Sequence, residues 1–447
     1  MNPNRNYLWK NTRLYIRLAT SYIFANRLYF IVGIIVSVLL ISFSSQIKGL
    51  VNIKRPHTIG LAGNFTISSL PLQVQNLVSL GLTQFQPDGQ TAPALAQSWQ
   101  ATDSGRKVIF TLKPDIKWQD GTIFNSAQIN YNLKSVELNR PASNIIEFIF
   151  KEPFAPLPTI VAQPLFKDGL VGLGIYKIDG LKFNGRFISQ INLQTNNKEK
   201  LIFKFYPTEK DLITALKLRS VDEIQGVHDI APIGKTSNYK VVESVDKQIV
   251  VTLFFNTQNQ LLADKQVRQA LTYTLPDNYP GYDKAIGPVP LGSWYTSDSM
   301  KIYSQNLDYA KKTLEKIASG PGKIKLTIQT SKTLEKIANQ IAGLWLQIGV
   351  NTNVEITDIL PDNYQVYITY LELPVDPDQY ALWHSTQQGN ISHYKSPKID
   401  KLLEEGRRTL NIADRLDIYA NFQKAITEDV PATFLYYPKI YSVSQRI

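Results

Sequence analysis

Cysteine is absent from the 447 residues, which excludes disulfides, a thiol nucleophile and thiolate metal sites and leaves the redox compartment open. It also excludes lipid anchoring through an acylated cysteine, so a surface location needs another tether. Histidine is scarce: His57, His228, His384 and His393 form no HExxH or other recognised ligand spacing. Gly320-Pro321-Gly322-Lys323 lacks the frame of a phosphate loop, and no GxSxG elbow occurs. The expectation is therefore a protein without catalytic activity, cofactor or bound metal. Acidic residues are missing before Asp88, while Arg5, Lys10, Arg13, Arg17, Arg27, Lys48, Lys54 and Arg55 all precede it. The net charge of +11 belongs mainly to this tail, because the remaining 40 basic residues face 37 acidic ones. A basic tail beside an apolar run points to a membrane and not to nucleic acid.

That run is present. Leu28 to Ile47 are 20 residues without a charge, between Arg27 and Lys48, enough for a helix of about 30 Å, the thickness of the hydrocarbon layer. Five basic residues precede it and three follow closely, which places the N-terminus in the cytoplasm and the rest outside. Residues 7 to 26, with Lys10, Arg13 and Arg17 at helical spacing, suit the membrane interface. Two other readings remain: a signal peptide cleaved near Ser42-Phe43-Ser44, and a buried core helix. The long basic region and the flanking charges favour the retained anchor. The whole chain is too long for one core, so two lobes are expected beyond it.

Between Asp88 and Asn130 the soluble part shows a turn at Asp88-Gly89, an apolar segment around Leu95 carrying Trp99, and a turn at Asp103-Gly105. A strand over Lys107 to Lys113 follows, then a turn at Asp120-Gly121 and a polar helix start at Asn125. Further on, His57 to Leu61, Phe187 to Leu193 and Leu201 to Tyr206 read as strands, with helices over Leu72 to Leu80 and Glu209 to Leu218. Ile249 to Phe255 is a continuous apolar run ending at Asn256, the pattern of a strand buried on both faces. Asp264 caps a helix carrying Arg268, which Pro276 cuts short; a structural salt bridge is the expected role of Arg268. Helix Asp308 to Ala318, strand Lys323 to Thr330, helix Thr333 to Ile348 and strand Val350 to Ile356 then alternate, which predicts a largely parallel sheet. Helices Lys398 to Thr409 and Arg415 to Glu428 and a strand Thr433 to Ser442 close the chain.

The order of these pieces carries a resemblance. Pro93, Leu95, Ala96, Ser98 and Trp99, then Phe110, Leu112, Lys113, Trp118, Asp120, Gly121 and Ala127 resemble the PxLAxSW and FxLRxxxxWxDGxxxxAxD stretches of family 5 extracellular solute-binding proteins. These are the receptors that hand peptides, nickel and related solutes to ABC importers. Val171 to Ile178 resembles the family's VGTGPYxI, and Asn256 to Leu271 its FNxxxxPxxDxxVRxAL, though the LDP turn is here Leu70-Pro71-Leu72. The resemblance implies an α/β, two-lobed periplasmic-binding-protein-like fold (type II), hinged, here preceded by one transmembrane helix. It implies lobe I over 57–250 with a reduced extra subdomain near 121–170, lobe II over 251–430, and a return to lobe I over 431–447, after a tail (1–27), an anchor (28–47) and a linker (48–56).

In such receptors the ligand lies between the lobes, at strand carboxyl ends. Tyr364 to Tyr380 resembles the family's GWxxDYxDPxxF strand and loop. Candidate ligand contacts are Tyr367, Tyr370, Glu372, Leu373 and Asp376, with Trp383 and Asn390 downstream and Trp118 on the first lobe. Relatives pair this strand edge with a peptide backbone and set an Asp against its α-ammonium. Here Leu373 stands at that position, and Glu372 replaces the Asp only if the backbone shifts by one residue, since strand neighbours point to opposite faces. The resulting expectation is a single-pass, membrane-anchored receptor, its bulk extracytoplasmic, with a peptide or other small solute and the ABC permease and ATPase as partners. An anchored sensor or peptide chaperone, a receptor for nickel or oligosaccharide, and a surface hydrolase are the alternatives.

Overall fold

A computed structural model describes residues 55–446 apart from 235, 318–323, 358 and 361, and scattered residues between 21 and 32. Residues 1–56 and 57–447 are separate compact units. In the first, the described residues between 21 and 29 are mostly helical. No helix among the described residues is long and apolar enough to cross a membrane, and the expected span Leu28 to Ile47 lies outside them except at Leu28, Tyr29 and Val32.

The second unit is built on three main sheets. A seven-stranded sheet runs Tyr239–Val245, Lys439–Gln445, Glu223–Val227, His57–Ala62, Lys200–Tyr206, Phe187–Thr195, Tyr176–Asn184; we call the body around it lobe I. Its central strand His57–Ala62 is parallel to both neighbours. A six-stranded sheet, the frame of lobe II, runs Asp283–Lys284, Ala432–Tyr437, Ile249–Phe255, Val366–Glu372, Ile324–Thr330, Val350–Ile356. Its last three strands are parallel, as the alternation of helix and strand predicts. The third sheet, Ala96–Thr102, Lys107–Leu112, Ile145–Ile149, Glu137–Ala142, has its own core around Leu95, Phe110, Trp118 and Phe148. Two of its four strands, Glu137–Ala142 and Ile145–Ile149, lie in the stretch 121–170 where a reduced subdomain was expected. Its strands beyond Lys107–Leu112 are short or exposed on one face, so no long apolar run marks them.

Ile249–Phe255 shows why lobe II is two-layered. Val251, Leu253 and Phe255 enter one core, with helices Lys265–Thr272, Leu307–Ile317 and Glu335–Gln347. Val250 and Phe254 enter another, with Pro397–Arg408 and Ile412–Asp429. A strand whose alternate residues are all buried has no solvent face, hence the unbroken apolar run.

The lobes are joined by two adjacent crossings. Tyr239–Val245 passes to Ile249–Phe255 through residues 246–248, and Ala432–Tyr437 passes to Lys439–Gln445 through Pro438. The single strand expected over Thr433 to Ser442 is thus two strands in two sheets, and the return to lobe I begins after Pro438, later than residue 431. Proline has no N–H to donate, so the ladder ends there and the chain can change sheets. Asp246 N–H donates to the Pro438 carbonyl (2.9 Å), tying the crossings together.

Arg268 is structural but makes no salt bridge among the described residues. It is 2% exposed, and its guanidinium donates to the carbonyls of Val430, Leu262, Ala263 and Asp429 at 2.6–2.9 Å. The fork of donors satisfies carbonyls left free where helix Ile412–Asp429 ends at left-handed Val430.

Candidate functional site between the lobes

Both sheets present the carboxyl ends of parallel strands to each other. In lobe I, Lys200–Tyr206 is followed by Thr208, whose hydroxyl accepts from Asp211 N–H and caps helix Glu209–Lys217. This puts Glu209 in the first helical turn, where a carboxylate is favoured. Glu223–Val227 is followed by His228. Glu209 Oε1 lies 2.7 Å from His228 Nδ1, and Glu209 Oε2 accepts the His228 backbone N–H at 3.1 Å. Burial pushes the Glu209 carboxyl up, but the His228 hydrogen bonds outweigh it and hold its pKa below the usual value. The hydrogen bond to Glu209 raises the His228 pKa against the opposing effect of burial. The two groups form an ion pair across the pH range between those values.

Lobe II answers with tyrosines. Tyr370, on Val366–Glu372, lies with its ring centroid 5.7 Å from that of His228. It is in register with Val251, which in turn pairs with Tyr436, and Tyr436 packs on Tyr282 (4.5 Å) and Tyr279 (5.1 Å). Burial raises the Tyr370 pKa, so the phenol is a neutral donor throughout the physiological range.

A second contact joins the third sheet to lobe II. Arg415 and Asp376 form a buried pair, Nη1 at 3.0 Å and Nη2 at 2.5 Å from the two carboxylate oxygens, and the Thr159 hydroxyl donates to Asp376 Oδ2 at 3.1 Å. Ala155 N–H donates to the Arg407 carbonyl (2.7 Å), Arg407 Nε lies 3.0 Å from Asp378, and Arg408 lies 2.8 Å from Glu152. Burial raises the Asp378 pKa, with Arg407 opposing. The expected turn at Asp88-Gly89 is here: Gly89 has φ +91°, and a Cβ on it would come within 2.9 Å of Val375. A cavity of about 300 Å³ remains between the two sides, lined by Trp99, Thr159, Trp294, Asp376 and Arg415.

The eight residues expected at the site separate into two groups. Tyr370 and Glu372 lie together at the cleft end of one strand face. Glu372 is exposed and, two residues on, shares the Tyr370 side. Tyr367 is buried against Tyr364, 6.0 Å between rings. Leu373 and Trp383 are buried in the second lobe II core, and Trp383 Nε1 donates to Gln379 Oε1. Asn390 is 3% exposed and donates to the carbonyls of Tyr394 and Trp383. Trp118 is 2% exposed, with its indole N–H on Gln128. Asp376 is held by Arg415 and Thr159. These six have their polar groups or volume committed inside the fold. The one-residue backbone shift contemplated for Glu372 does not occur, since its ladder with Ile249–Phe255 is unbroken and Leu373 N–H continues it to Gln248 O at 2.8 Å. Glu209 and His228 were not among the candidates. The rule that ligands lie at strand carboxyl ends, applied to lobe I as well, would have pointed to them.

Comparison with known proteins adds a family. Residues 90–393 match the description "Bacterial extracellular solute-binding proteins, family 5 Middle". The probable D,D-dipeptide-binding periplasmic protein DdpA of Escherichia coli (strain K12) is 23% identical over 435 residues, covering 79% of this chain and 82% of the relative. The fold matches the substrate-binding protein CtaP of Listeria monocytogenes with a TM-score of 0.75, at 19% identity over 87% of this chain and 94% of that one. It also matches the oligopeptide-binding protein AppA of Bacillus subtilis in complex with a nonapeptide, with a TM-score of 0.67, at 20% identity over 88% and 95%, and NikZ of Campylobacter jejuni in complex with Ni(L-His), with a TM-score of 0.73, at 20% identity over 88% and 94%. With the family match spanning well over half the residues and the two-lobed α/β architecture in place, the chain belongs to family 5 of the bacterial extracellular solute-binding proteins.

Proposed function

We propose that the chain is the receptor of an ABC importer for peptides, held at the outer face of the cell membrane by residues 28–47, closing its lobes around the solute and presenting it to a permease. The observation that carries this reading is the meeting of Glu209–His228 with Tyr370 across the lobes, beside the exposed Glu372. A peptide offers an α-ammonium, which needs a carboxylate when it leaves water, and a backbone that a strand end can pair with. Glu372 supplies the carboxylate from its own exposed face, the Tyr370 side, and not from the family's Asp position, which buried Leu373 occupies; Tyr370 supplies an aromatic wall. Closure follows because a ligand touching both lobes binds the closed state better than the open one. The names of the Escherichia coli relative and of the Bacillus subtilis structure, both peptide binders, support the solute class. The fixed tether raises the concentration of receptor at the permease.

Mass spectrometry of solute co-purifying with the full-length chain, followed by titration with the peptide found, tests the reading. Tyr370→Ala and Glu372→Gln are each expected to weaken that peptide roughly tenfold, the scale of a lost aromatic contact or charge-assisted hydrogen bond. Unchanged affinity in both variants, or a nickel complex as the only co-purifying solute, would overturn it.

A further inference from the structure

Outside the interlobe faces, lobe II contains a cavity of about 360 Å³, within the range of roughly 300–1,000 Å³ common for small-ligand sites. It shares none of its lining with Glu209, His228, Tyr370 or Glu372. Its walls are Leu275, Tyr279, Ala285 and Phe434, while Ile286 and Ile302 form part of its rim. The rim is unusual for an exposed surface, because Ile286 is 45% and Ile302 63% exposed. Two neighbouring isoleucines left in water beside an apolar hollow gain free energy only when something covers them.

The charges at the cavity differ in how they are balanced. Lys284 lies 3.9 Å from Asp277, a partial counter-charge. Lys301 has no carboxylate within ion-pair distance among the described residues; its ammonium lies over the rings of Tyr303 (4.8 Å) and Tyr273 (5.9 Å). The segment that carries it is fixed on helix Ile412–Asp429, through Lys301 N–H to Thr427 Oγ1 (2.9 Å) and Tyr303 O–H to the Thr427 carbonyl (3.1 Å). The Lys301 backbone and the Tyr303 phenol are therefore fixed to this helix, and the Lys301 ammonium, placed over two rings beside the cavity, has no carboxylate partner among the described residues.

We propose that this cavity is a second ligand site, taking an amphipathic monocarboxylate whose apolar body lies between Tyr279 and Phe434, under Ile286 and Ile302, and whose carboxylate meets Lys301. An apolar pocket with one unbalanced ammonium selects for that combination: the body supplies binding through burial, and the charge supplies discrimination, because an uncharged or cationic analogue leaves Lys301 unpaired. The site does not depend on the interlobe reading: Glu209, His228, Tyr370 and Glu372 take no part in it, and Tyr279, which also packs on Tyr436, is the residue named in both.

Equilibrium dialysis of the full-length chain against 3-phenylpropionate tests it, with 3-phenylpropanol and 3-phenylpropylamine as the neutral and cationic analogues. The acid is expected to bind saturably and roughly tenfold tighter than the alcohol, the scale of one charge-assisted hydrogen bond. Lys301→Met keeps the side-chain stem and should remove that preference while leaving the alcohol's binding unchanged. Lys301→Glu should transfer the preference to the amine. An unchanged thermal midpoint in both variants shows that they are folded. Absence of saturable binding by all three probes, or acid binding indifferent to Lys301→Met, would overturn the proposal.

Discussion

Lobe II meets the rest of the molecule in two places built on opposite plans. At the third sheet, the charges are paired with each other: Asp376 with Arg415 and Thr159, Asp378 with Arg407, Glu152 with Arg408. At the lobe I sheet, one ion pair, Glu209–His228, stays on its own side, and across from it stand the Tyr370 ring and the exposed Glu372. At the first contact, Arg415–Asp376 and Arg407–Asp378 are pairs within lobe II, and the Thr159 hydroxyl, Ala155 N–H and Glu152 reach across to Asp376, the Arg407 carbonyl and Arg408. The second leaves the Glu372 carboxylate in water. A buried charge without a partner is costly, so a surface meant to receive a charged ligand must keep its own free charge near water until the ligand arrives.

The largest effect that separates these plans is expected from Arg415→Ala. It leaves Asp376 buried without its counter-ion, with side-chain exposures of 7% and 9% in the native pair, and should cost about 3–5 kcal/mol in denaturant unfolding. Replacing both partners with apolar residues, Arg415→Met with Asp376→Leu, should recover most of that loss. If the single variant costs less than the double, the pairing is not what holds this contact.

Next is Thr159→Val, which removes one donor from the same carboxylate but leaves Arg415. It should cost about 1–2 kcal/mol. Because Thr159 lies across the contact from Asp376, part of that loss should appear as a larger radius of gyration by solution scattering. An unchanged radius would mean that the third sheet stays docked without it.

The interlobe pair yields a pH dependence. Glu209, held below its usual 4.5, contributes stability that is present above that value and lost as pH falls through its lower folded pKa. His228, raised above 6.5, contributes stability that is full below 6.5 and lost as pH rises through its higher folded pKa. Their joint contribution is therefore greatest between about pH 4.5 and 6.5 and declines on both sides. Both side chains are about a third exposed, so solvent screening keeps the effect to about 1 kcal/mol or less. Glu209→Gln should flatten the profile; a profile unchanged by it would place the titrating group elsewhere. The smallest effect is expected for Arg408→Ala, whose partner Glu152 is exposed. It should move stability by no more than about 0.5 kcal/mol, and a larger loss would show that this contact is less finished than its geometry suggests.

Much of the fold was legible because its signals are local. The strand Ile249–Phe255 and its two-sided burial, the strand Val350–Ile356, the Asp264 cap and the helix Glu209–Lys217 all follow from residues within a few positions of one another. Glu137–Ala142 was not legible, since its strand is mostly exposed and carries Pro141. Pro438 was read as part of a strand, because the apolar pattern continues across it and only the change of sheet reveals the break.

The candidate site was legible only in part, for a related reason. Motif resemblance drew attention to Val366–Glu372 and the loop after it, yet resemblance cannot say which way a side chain points. Trp383, Asn390 and Trp118 lie in matching segments and are committed to the core, while Glu209 and His228, 19 residues apart in sequence, are brought together because the strands preceding them flank His57–Ala62 in one sheet.

The amino-acid order alone thus determined the spans of the main helices and strands, the two-lobed class and the family, because periodicity, caps and short motifs are written within a few residues. Only the tertiary structure decided which charged groups are spent on each other and which stay free. That is settled by contacts between distant segments: the Arg415 fork reaching Asp376, four main-chain carbonyls around Arg268, and a histidine of one sheet facing a tyrosine of another. The free energy of a charge depends on what surrounds it in space, and chain order does not set those surroundings until the sheets have packed.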